Sequence, residues 1–429
     1  MFGLISTHVT RLCLHPLSLV ALWLTSAGTA HVAADTFEIE VREPAGIRRF
    51  GYPVAVVLPI PPSAPKTIVC ALHDAGRDLA AQLRREETDD GSGRWWLDFN
   101  LDLMPHESRA LKLEYGEGLV ANSEPRGGLT LSESPDEYQV SNGNHIHWTV
   151  GRQPGPVVKQ VRVPTYEHLR DRGMTLAWTG LDGARHELVG DGGKATSMRL
   201  VRAGPLAVVV RSQVALPEIS DQARSVVDMT FPVSKSWVEV DWRIEGVAGG
   251  LVSASAEIDL NLDRPAADKP TLVDFGASTL VYLALDPGQS GVLRSTRRSS
   301  SSSSAGGGVK GPSGGWEVLR GAPGKLEPFV ASLTTHDQRL AAEGWAHVMD
   351  RTRCLAVALD EFGHDADDSI EVTAEGKVVL TRRFPAGAAD GAARSLRYWL
   401  HFVGFPPHQT AATSPQSMLA PLVVRVRAE

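Results

Sequence analysis

Nine side chains, in four short stretches of the chain, are of the types that transfer protons, stabilise negative charge or bind sugars. They are His145 and His147, Tyr166 and His168, Trp345 and His347, and Arg397, Trp399 and His401. Imidazole and phenol groups act as general acids and bases, and a guanidinium stabilises a carboxylate that gains charge. A Trp ring stacks on the apolar C–H face of a sugar while neighbouring polar groups bind its hydroxyls. The residue types therefore indicate chemistry on a saccharide.

The spacing of these residues predicts that strands carry them. As a strand, "NHIHWTV" at 144–150 directs His145 and His147 to one face and its apolar residues, which a core would bury, to the other. "RYWLHF" at 397–402 alternates in the same way, whereas Tyr166 lies in a loop-like stretch. Two histidines at this spacing supply only two metal ligands and no third is nearby, so no metal site is predicted. A solvated histidine pair on the surface is the structural alternative.

The composition excludes several classes of protein. The chain has 429 residues, 42% of them hydrophobic, and a formal net charge of −7 at pH 7. Its basic residues run at most two together, as at Arg297–Arg298, which argues against a nucleic-acid partner. The sequence contains no Walker, G-x-S-x-G or dinucleotide-binding fingerprint, so no cofactor is predicted. The length is enough for two or three domains.

Residues 1–34 have the features of a secretory signal peptide. Arg11 is their only Lys, Arg, Asp or Glu, and a mostly apolar run from Leu12 to Gly28 leads to small residues before Asp35. We predict cleavage before Asp35 and a secreted or periplasmic mature protein. Later segments fall short of the roughly 18 apolar residues that a membrane helix needs, so no stable membrane insertion is expected after cleavage.

Two cysteines remain once the signal peptide is removed. Cys70 and Cys354 both lie in apolar, strand-like runs. Thiols in such runs usually act as small buried hydrophobic groups. A disulfide is the alternative in an oxidising compartment, because the sequence alone does not establish whether the two residues meet.

Short apolar or alternating runs separated by Gly, Pro, Asn and Asp dominate the chain, and this pattern predicts an all-β fold of sandwiches or barrels. The best helical candidate, 336–345, is short. The Ser/Gly-rich segment at 295–315 cannot bury apolar area and is predicted to be a disordered loop. Loop-like residues near 117–130 predict a boundary between a first domain at 35–120 and a second at 121–429.

An ordered set of short motifs runs through the first domain. Its residues are Gly51, Pro53, Val54, Pro59, Pro61, Asp74, Gly76, Gln82, Asp90, Gly91, Ser92, Trp95, Asp98, Phe99, Leu113, Tyr115 and Gly116. In this order they resemble the exo-rhamnogalacturonan lyase and YetA-like family, and "MTFPVSKSWVEVDWRIEG" resembles a strand pair of that family's central sandwich. The resemblance implies a small RIFT-type barrel followed by a large antiparallel β-sandwich. The family's α/α-toroid domain has no counterpart in this sequence.

The resemblance also implies a lyase that cleaves acidic, rhamnogalacturonan-like pectin glycans by β-elimination. Such a reaction needs a base for the C5 proton, a donor for the carboxylate and an acid for the leaving oxygen. Tyr166, His168 and His401 are the predicted catalytic residues. The predicted residues for binding the polysaccharide or oligosaccharide partner are His145, His147, Trp345, His347, Arg397 and Trp399. Two other functions stay open: a non-catalytic carbohydrate-binding or assembly module, and an aldose-epimerase-like enzyme.

Overall fold

The computed structural model describes residues 35–428 apart from a set of gaps. The gaps are 62, 66–67, 89–91, 118, 120–126, 144, 153–154, 189–195, 248–249, 264, 267, 298–313, 332–340, 365–366, 386–392 and 404–414. The predicted signal peptide at 1–34 lies outside the described residues. So do most of the predicted loop at 295–315 and half of the helical candidate at 336–345.

Strands make up almost all of the regular structure in the described residues, which confirms the all-β prediction. Strands β1–β7 are Asp35–Arg42, Arg49–Leu58, Val69–Asp74, Arg77–Leu79, Ala81–Glu86, Arg94–Leu103 and Ser108–Gly116. Strands β8–β19 are Thr130–Glu133, Glu137–Asn142, Ile146–Gly151, Val158–Val163, Tyr166–Glu167, Leu169–Gly180, Arg185–Glu187, Thr196–Ala203, Ala207–Ala215, Arg224–Pro232, Trp237–Glu245 and Leu251–Leu260. Strands β20–β30 are Thr271–Gly276, Leu280–Leu285, Ser290–Arg297, Gly314–Ala322, Lys325–Ala331, Trp345–Met349, Cys354–Leu359, Asp367–Thr373, Lys377–Arg383, Arg394–Val403 and Val423–Ala428, and helix α1 is Gln416–Leu419. In the part of the chain that is described, no helix is long and apolar enough to cross a membrane.

Strands β1–β7 form two small sheets, which together with β30 we call the small unit. The five-stranded sheet has the order β30-β1-β7-β3-β4 and the three-stranded sheet the order β2-β6-β5. Both sheets contribute to one core that includes Ile39, Leu72, Leu97 and Leu113. Strand β30 pairs antiparallel with β1 and not with either sheet of the sandwich, although the sequence placed all of 121–429 in the second domain. An alternating strand buries one face in any sheet, so its sequence does not indicate its partner.

The rest of the chain forms two large antiparallel sheets. The thirteen-stranded sheet has the main order β24-β23-β22-β27-β28-β19-β13-β11-β10-β9-β8, with β12 added to β11 and β14 to β13. The nine-stranded sheet has the order β15-β16-β17-β18-β29-β26-β25-β20-β21. Apolar side chains from both sheets share one large core. The predicted large antiparallel sandwich is therefore confirmed.

The face assignments predicted for two strands are correct. Ile146, Trp148 and Val150 of β10 are buried in the sandwich core, and the ring of Trp148 lies 5.3 Å from that of Phe231. In β29, Tyr398, Leu400 and Phe402 are also in this core. Because side chains alternate along a strand, the polar residues between them must lie on the opposite face of each sheet.

Cys70 and Cys354 are buried and do not form a disulfide, so the disulfide alternative is wrong. Cys70 belongs to the core of the small unit, whereas Cys354 lies on β26 of the nine-stranded sheet. Burial raises the pKa of the Cys70 thiol to about 11. A thiol with so high a pKa is unreactive at neutral pH, since the thiolate is the nucleophile.

Candidate functional site

The outer face of the nine-stranded sheet, which points away from the sandwich core, carries five of the nine candidate residues. The order β25-β26-β29-β18 sets four strands from distant parts of the chain side by side. One row across these strands contains His347, Ala356, His401 and Trp237. The next row contains Trp345, Ala358, Trp399 and Glu239. Strand order and register, not sequence proximity, therefore assemble this surface.

Strand β18 gives the outer face its charged centre. Its sequence "WVEVDWRIE" alternates, so that Val240 and Trp242 are buried in the sandwich core. Glu239, Asp241 and Arg243 lie on the other face and are half-buried. These charged side chains are partly shielded by the small unit but still reach solvent. They can therefore form ion pairs with each other and also contact a ligand.

A cavity of about 470 Å³, which we call the cleft, lies against this charged surface. Strands β2 and β6 of the small unit and the residues after helix α1 cover it from the other side. Its large aromatic lining residues include Tyr52, Trp96, Trp237 and Trp399. Its charged lining residues are Glu86, Asp98, Asp228, Glu239, Asp241, Arg94, Arg202, Arg211, Arg243 and Arg397. The cleft thus combines flat apolar surfaces with many hydrogen-bonding groups.

Glu239 holds Arg397 and Trp399 in place within the cleft. Arg397 donates from Nε and Nη2 to Glu239 Oε1 at 2.9 and 2.6 Å, and Trp399 Nε1 donates to Oε2 at 3.2 Å. The guanidinium of Arg397 also lies over the Trp399 ring, 5.1 Å from its centre. Burial opposes the charge of Arg397, but Glu239 and Asp360 outweigh that effect and raise its pKa. The three side chains form one pre-organised group.

A second charged group continues the cleft across β17 and β16. Arg211 donates from Nε and Nη2 to the two carboxylate oxygens of Asp228 at 2.6 and 2.8 Å. Arg243 donates one hydrogen bond to the same carboxylate, at 2.9 Å, and another to the carboxylate of Asp241, at 3.1 Å. Arg211 also pairs with Glu86 of the small unit at 3.2 Å. Ion pairs therefore join the small unit to the floor of the cleft.

The charges that line the cleft balance. Five carboxylates and five guanidinium groups line it, so their formal sum is zero. Arg202 pairs with Asp98 at 2.7 Å, and three of the other arginines have the carboxylate partners described above. An acidic glycan would have to compete with these internal carboxylates for the same cations. A balanced, hydrogen-bond-rich cleft suits a neutral ligand better.

Two carboxyl groups, those of Asp241 and Glu239, lie on one face of β18. Burial raises the pKa of Asp241, although Arg243 opposes the shift. Glu239, two residues before it, accepts three hydrogen bonds, two of them from the guanidinium of Arg397 and one from Trp399. Pairs of neighbouring carboxyl groups are a frequent arrangement in acid–base enzymes.

His347, Trp345 and His401 share the outer face but do not line the cleft. Their side chains are buried, and Trp345 belongs with Met418 of helix α1 to a small apolar cluster on this face. Burial lowers the pKa of His401 to about 4, and Lys235 and His347 add to the shift. At neutral pH the His401 ring is therefore uncharged. Its Nδ1 atom has no hydrogen-bond partner within the described residues.

The remaining predicted site residues lie away from the cleft. His168 is buried between Tyr166 and Phe402, with ring centres 5.0 and 5.3 Å away. Because Phe402 belongs to the sandwich core, His168 lies on the opposite side of β29 from His401. The structure therefore does not bring these two predicted catalytic histidines together. Burial lowers the pKa of His168 to about 4.

The two histidines of the β9–β10 hairpin have different surroundings. His147 lies on the face of β10 opposite the core, where its Nδ1 hydrogen-bonds Ser141 Oγ at 2.8 Å. His145 is exposed, just before β10, and lines a second cavity at one end of the sandwich. The described residues contain no group of three or more His, Cys, Asp or Glu placed to hold a metal ion.

Sequence reasoning missed most of the carboxylates and aromatic residues of the cleft. Glu239 and Asp241 were visible as an alternating charged row, but a solvated strand face has the same pattern. Trp96 and Glu86 belong to the small unit, and nothing in the sequence indicates that β6 and β5 cover β18. The signal that could have found them is the dense alternation of Trp with acidic residues in "WVEVDWRIE".

No protein-family model matches the chain. A structural relative is a protein of glycosyl hydrolase family 38 from Enterococcus faecalis, 9% identical with a TM-score of 0.53, covering 92% of this chain and 47% of that one. An alpha-mannosidase from Enterococcus faecalis V583 is 10% identical with a TM-score of 0.48, and the match covers 92% of this chain and 46% of that one. A galactose mutarotase related enzyme from Lactobacillus acidophilus is 9% identical with a TM-score of 0.35, covering 62% of this chain and 97% of that one.

Among curated sequences, elongation factor Ts from Wolinella succinogenes is 41% identical over 61 residues, which is 14% of this chain and 17% of that protein. The chain thus spans a small part of that relative and about half of the two Enterococcus proteins. At 9% identity, the family 38 structure establishes similarity of fold and nothing about activity.

The predicted resemblance to the exo-rhamnogalacturonan lyase and YetA-like family is wrong. No family model supports it, and the fold is similar to that of a glycosyl hydrolase family 38 protein, not to that of a rhamnogalacturonan lyase. Eleven of the 17 motif residues are Gly, Pro, Asp or Ser, types that are common in any β-rich chain with many turns. Such residues recur wherever a small β-unit reverses direction, so their order carries little family information.

Proposed function

We propose that the chain binds a neutral saccharide in the cleft. The observation that carries the proposal is a cavity of about 470 Å³ in which paired carboxylates and guanidinium groups stand beside Tyr52, Trp96, Trp237 and Trp399. Its volume falls within the range of roughly 300–1,000 Å³ that is usual for small-molecule sites. The similarity of fold to a family 38 protein is consistent with a role in carbohydrate biology.

The chemistry of the lining matches that of a sugar. Each sugar hydroxyl both donates and accepts, so it needs an acceptor and a donor close together. Ion pairs such as Glu239–Arg397 and Asp228–Arg211 present a hydrogen-bond acceptor and a hydrogen-bond donor in fixed positions. The aromatic side chains offer apolar surface for the C–H groups of the ring. Because the charges cancel, such a site gains little from an acidic sugar.

Calorimetric titration with neutral and uronate-containing oligosaccharides tests the proposal. We expect binding of a neutral sugar, and the variant Glu239→Gln should weaken it. A hydrogen bond to a charged group contributes roughly 1.5–3 kcal/mol, which corresponds to about a 10- to 100-fold loss of affinity.

Glu245→Gln is the matched control for this variant. Glu245 lies on the same strand, accepts a hydrogen bond from Arg224 at 2.8 Å and does not line the cleft. It should leave the affinity unchanged. Equal losses in the two variants, or binding of uronate oligosaccharides alone, would contradict the proposal.

An aldose-epimerase-like activity is the second candidate, favoured by the two carboxyl groups of Asp241 and Glu239 on one face of β18 within the cleft. A sugar bound over β18 would meet Asp241, whose pKa is raised by burial, close to the second carboxyl group, that of Glu239. Opening and closing of a sugar ring at its anomeric carbon needs a proton donor and a proton acceptor. Polarimetry of freshly dissolved aldoses measures this reaction directly. Acceleration that Asp241→Asn abolishes and Glu245→Gln retains would support it, and the uncatalysed rate with wild-type protein would exclude it.

A further inference from the structure

A second cavity, of about 830 Å³, lies at one end of the sandwich, and we call it the end cavity. Its walls come from segments far apart in sequence: the start of β10, the β11–β12 turn, the residue before β18, the loop after β19, the turn between β25 and β26, and the end of β29. Turns held by a rigid sandwich are a frequent location for binding sites. The cleft and the end cavity share no lining residue.

Asp350 fixes one wall of the end cavity. Its Oδ1 accepts hydrogen bonds from the backbone N–H groups of Thr352 and Arg353 at 2.6 and 2.7 Å. Its Oδ2 accepts from the backbone N–H of Asp263 at 2.8 Å. The carboxylate thus ties the β25–β26 turn to the loop after β19, and both segments line the cavity. A ligand would meet a wall that is already ordered, which lowers the entropic cost of binding.

Tyr166 forms the aromatic part of the wall. Its hydroxyl donates to the backbone carbonyl of Thr352 at 3.2 Å, and the Arg353 guanidinium lies 5.4 Å from its ring centre. Behind it, His168 packs against Tyr166 and Phe402 and is only 2% exposed. Its Nε2 atom has no hydrogen-bond partner within the described residues. The half-buried ring of Tyr166 is therefore held in one orientation.

The charges at the end cavity indicate which ligands suit it. Arg353 lies 3.5 Å from carboxylate oxygens of both Asp263 and Asp350. A phosphate or a carboxylate ligand would be repelled by this acidic pair. Ser236, Thr352 and exposed His145, in contrast, offer hydrogen-bonding groups in the lining, next to apolar residues such as Val163 and Phe402.

We propose that the end cavity is a second binding site for a neutral saccharide, separate from the cleft. The two sites would let one chain hold two parts of a long glycan, or two glycan chains. Linked sites of this kind raise overall affinity without new contacts, provided that one ligand reaches both. The inference does not depend on the cleft, because none of the residues that support it lies there.

Hydrogen–deuterium exchange of the full chain locates binding at each cavity. The probes are linear neutral hexasaccharides of glucose, mannose, galactose and xylose, with inorganic phosphate as the anionic comparison. Thr165→Trp places an indole at an exposed turn residue that lines the end cavity, and Thr130→Trp is the control, on exposed strand β8 away from both cavities. We expect one hexasaccharide to protect 161–168 and 350–356, and Thr165→Trp to weaken this protection at least tenfold in apparent affinity while Thr130→Trp retains it.

The pattern of protection separates the two proposals. Protection of 237–243 without protection of 161–168 would overturn the proposed binding in the end cavity and support the proposed binding in the cleft. Protection of 161–168 that Thr165→Trp removes, without protection of 237–243, would support the end cavity and contradict the cleft. Protection of 161–168 by phosphate alone, or equal losses in both Trp variants, would overturn the assignment of a neutral saccharide.

Discussion

Replacing Glu43 tests how the C-terminal segment is anchored over the cleft. Glu43 and Arg49 are fully buried and pair at 3.0 Å. Arg49 also donates to the backbone carbonyls of Ser417, within helix α1, and Ala420, which caps its C-terminus, at 2.7 and 2.6 Å. The residues that follow this helix line the cleft. Glu43→Gln keeps the shape of the side chain but leaves the buried guanidinium without its counter-ion.

The structure gives the size of the effect in two ways. Removing one partner of a buried ion pair costs about 3–5 kcal/mol. Burial works against the charge of Glu43, but hydrogen bonds from the backbone of His106, Ala45 and Gly46 and from Arg49 outweigh it and lower its pKa from 4.5 to about 2. A shift of this size corresponds to about 3 kcal/mol at neutral pH. We therefore expect Glu43→Gln to lower the free energy of unfolding by about 3 kcal/mol.

Equilibrium urea unfolding followed by Trp fluorescence measures the loss. Because the folded-state pKa of Glu43 is depressed, its contribution is complete above pH 4.5 and is lost as the pH falls toward 2. The difference between wild type and Glu43→Gln should therefore shrink over that window. Glu40→Gln, on strand β1 three residues before Glu43, has only a partly exposed pair to Arg427 at 3.4 Å and should change stability by less than about 0.5 kcal/mol. A loss below about 1 kcal/mol for Glu43→Gln, or one that does not vary with pH, would refute the reasoning.

Three further predictions follow from burial and from the sequence. Trp148→Ala should lower the free energy of unfolding by roughly 3–5 kcal/mol, because it empties a fully buried aromatic site; urea unfolding with a loss under 1 kcal/mol would contradict this. His168 and His401 have pKa values lowered to about 4, so the unfolded chain binds more protons below pH 6.5 and stability should fall as the pH drops from 6.5 to 4. Replacing His168 by Gln should reduce the pH slope of the free energy of unfolding by up to one proton, and an unchanged slope would refute that assignment. Exported protein should begin at or near Asp35, and N-terminal sequencing that finds Met1 on it would disprove the signal peptide.

The alternation of apolar and polar residues predicted which side chains of a strand face the core. The assignment of Trp148 to the core, and of Arg397 and Trp399 to the opposite face of their strand, followed from strand geometry and is confirmed. Strand order could not be predicted in the same way, because it depends on which strands meet after the chain has folded. The pairing of β30 with β1 and the placement of the small unit over β18 are both of this kind. The boundary between domains at 120 and 121 stays a prediction.

The candidate site was predicted only in part, and the reason is geometric. Arg397 and Trp399 line the cleft, but their partner Glu239 comes from a strand more than 150 positions earlier in the chain. His401 and His168 were predicted as members of one catalytic set on residue type alone. The two faces of β29 separate them, and this is apparent only once Phe402 is known to belong to the core.

The pairing of the last strand with the first affects how the chain folds during synthesis. Phe37 lies opposite Ala428, so the five-stranded sheet contains both ends of the described chain. Although β1–β7 leave the ribosome first, β1 keeps an open edge until β30 has been made, after all of the sandwich. An open edge can pair with another chain, and the nascent protein is exposed to aggregation for that whole interval. A truncation that removes Val423–Ala428 would make this temporary edge permanent.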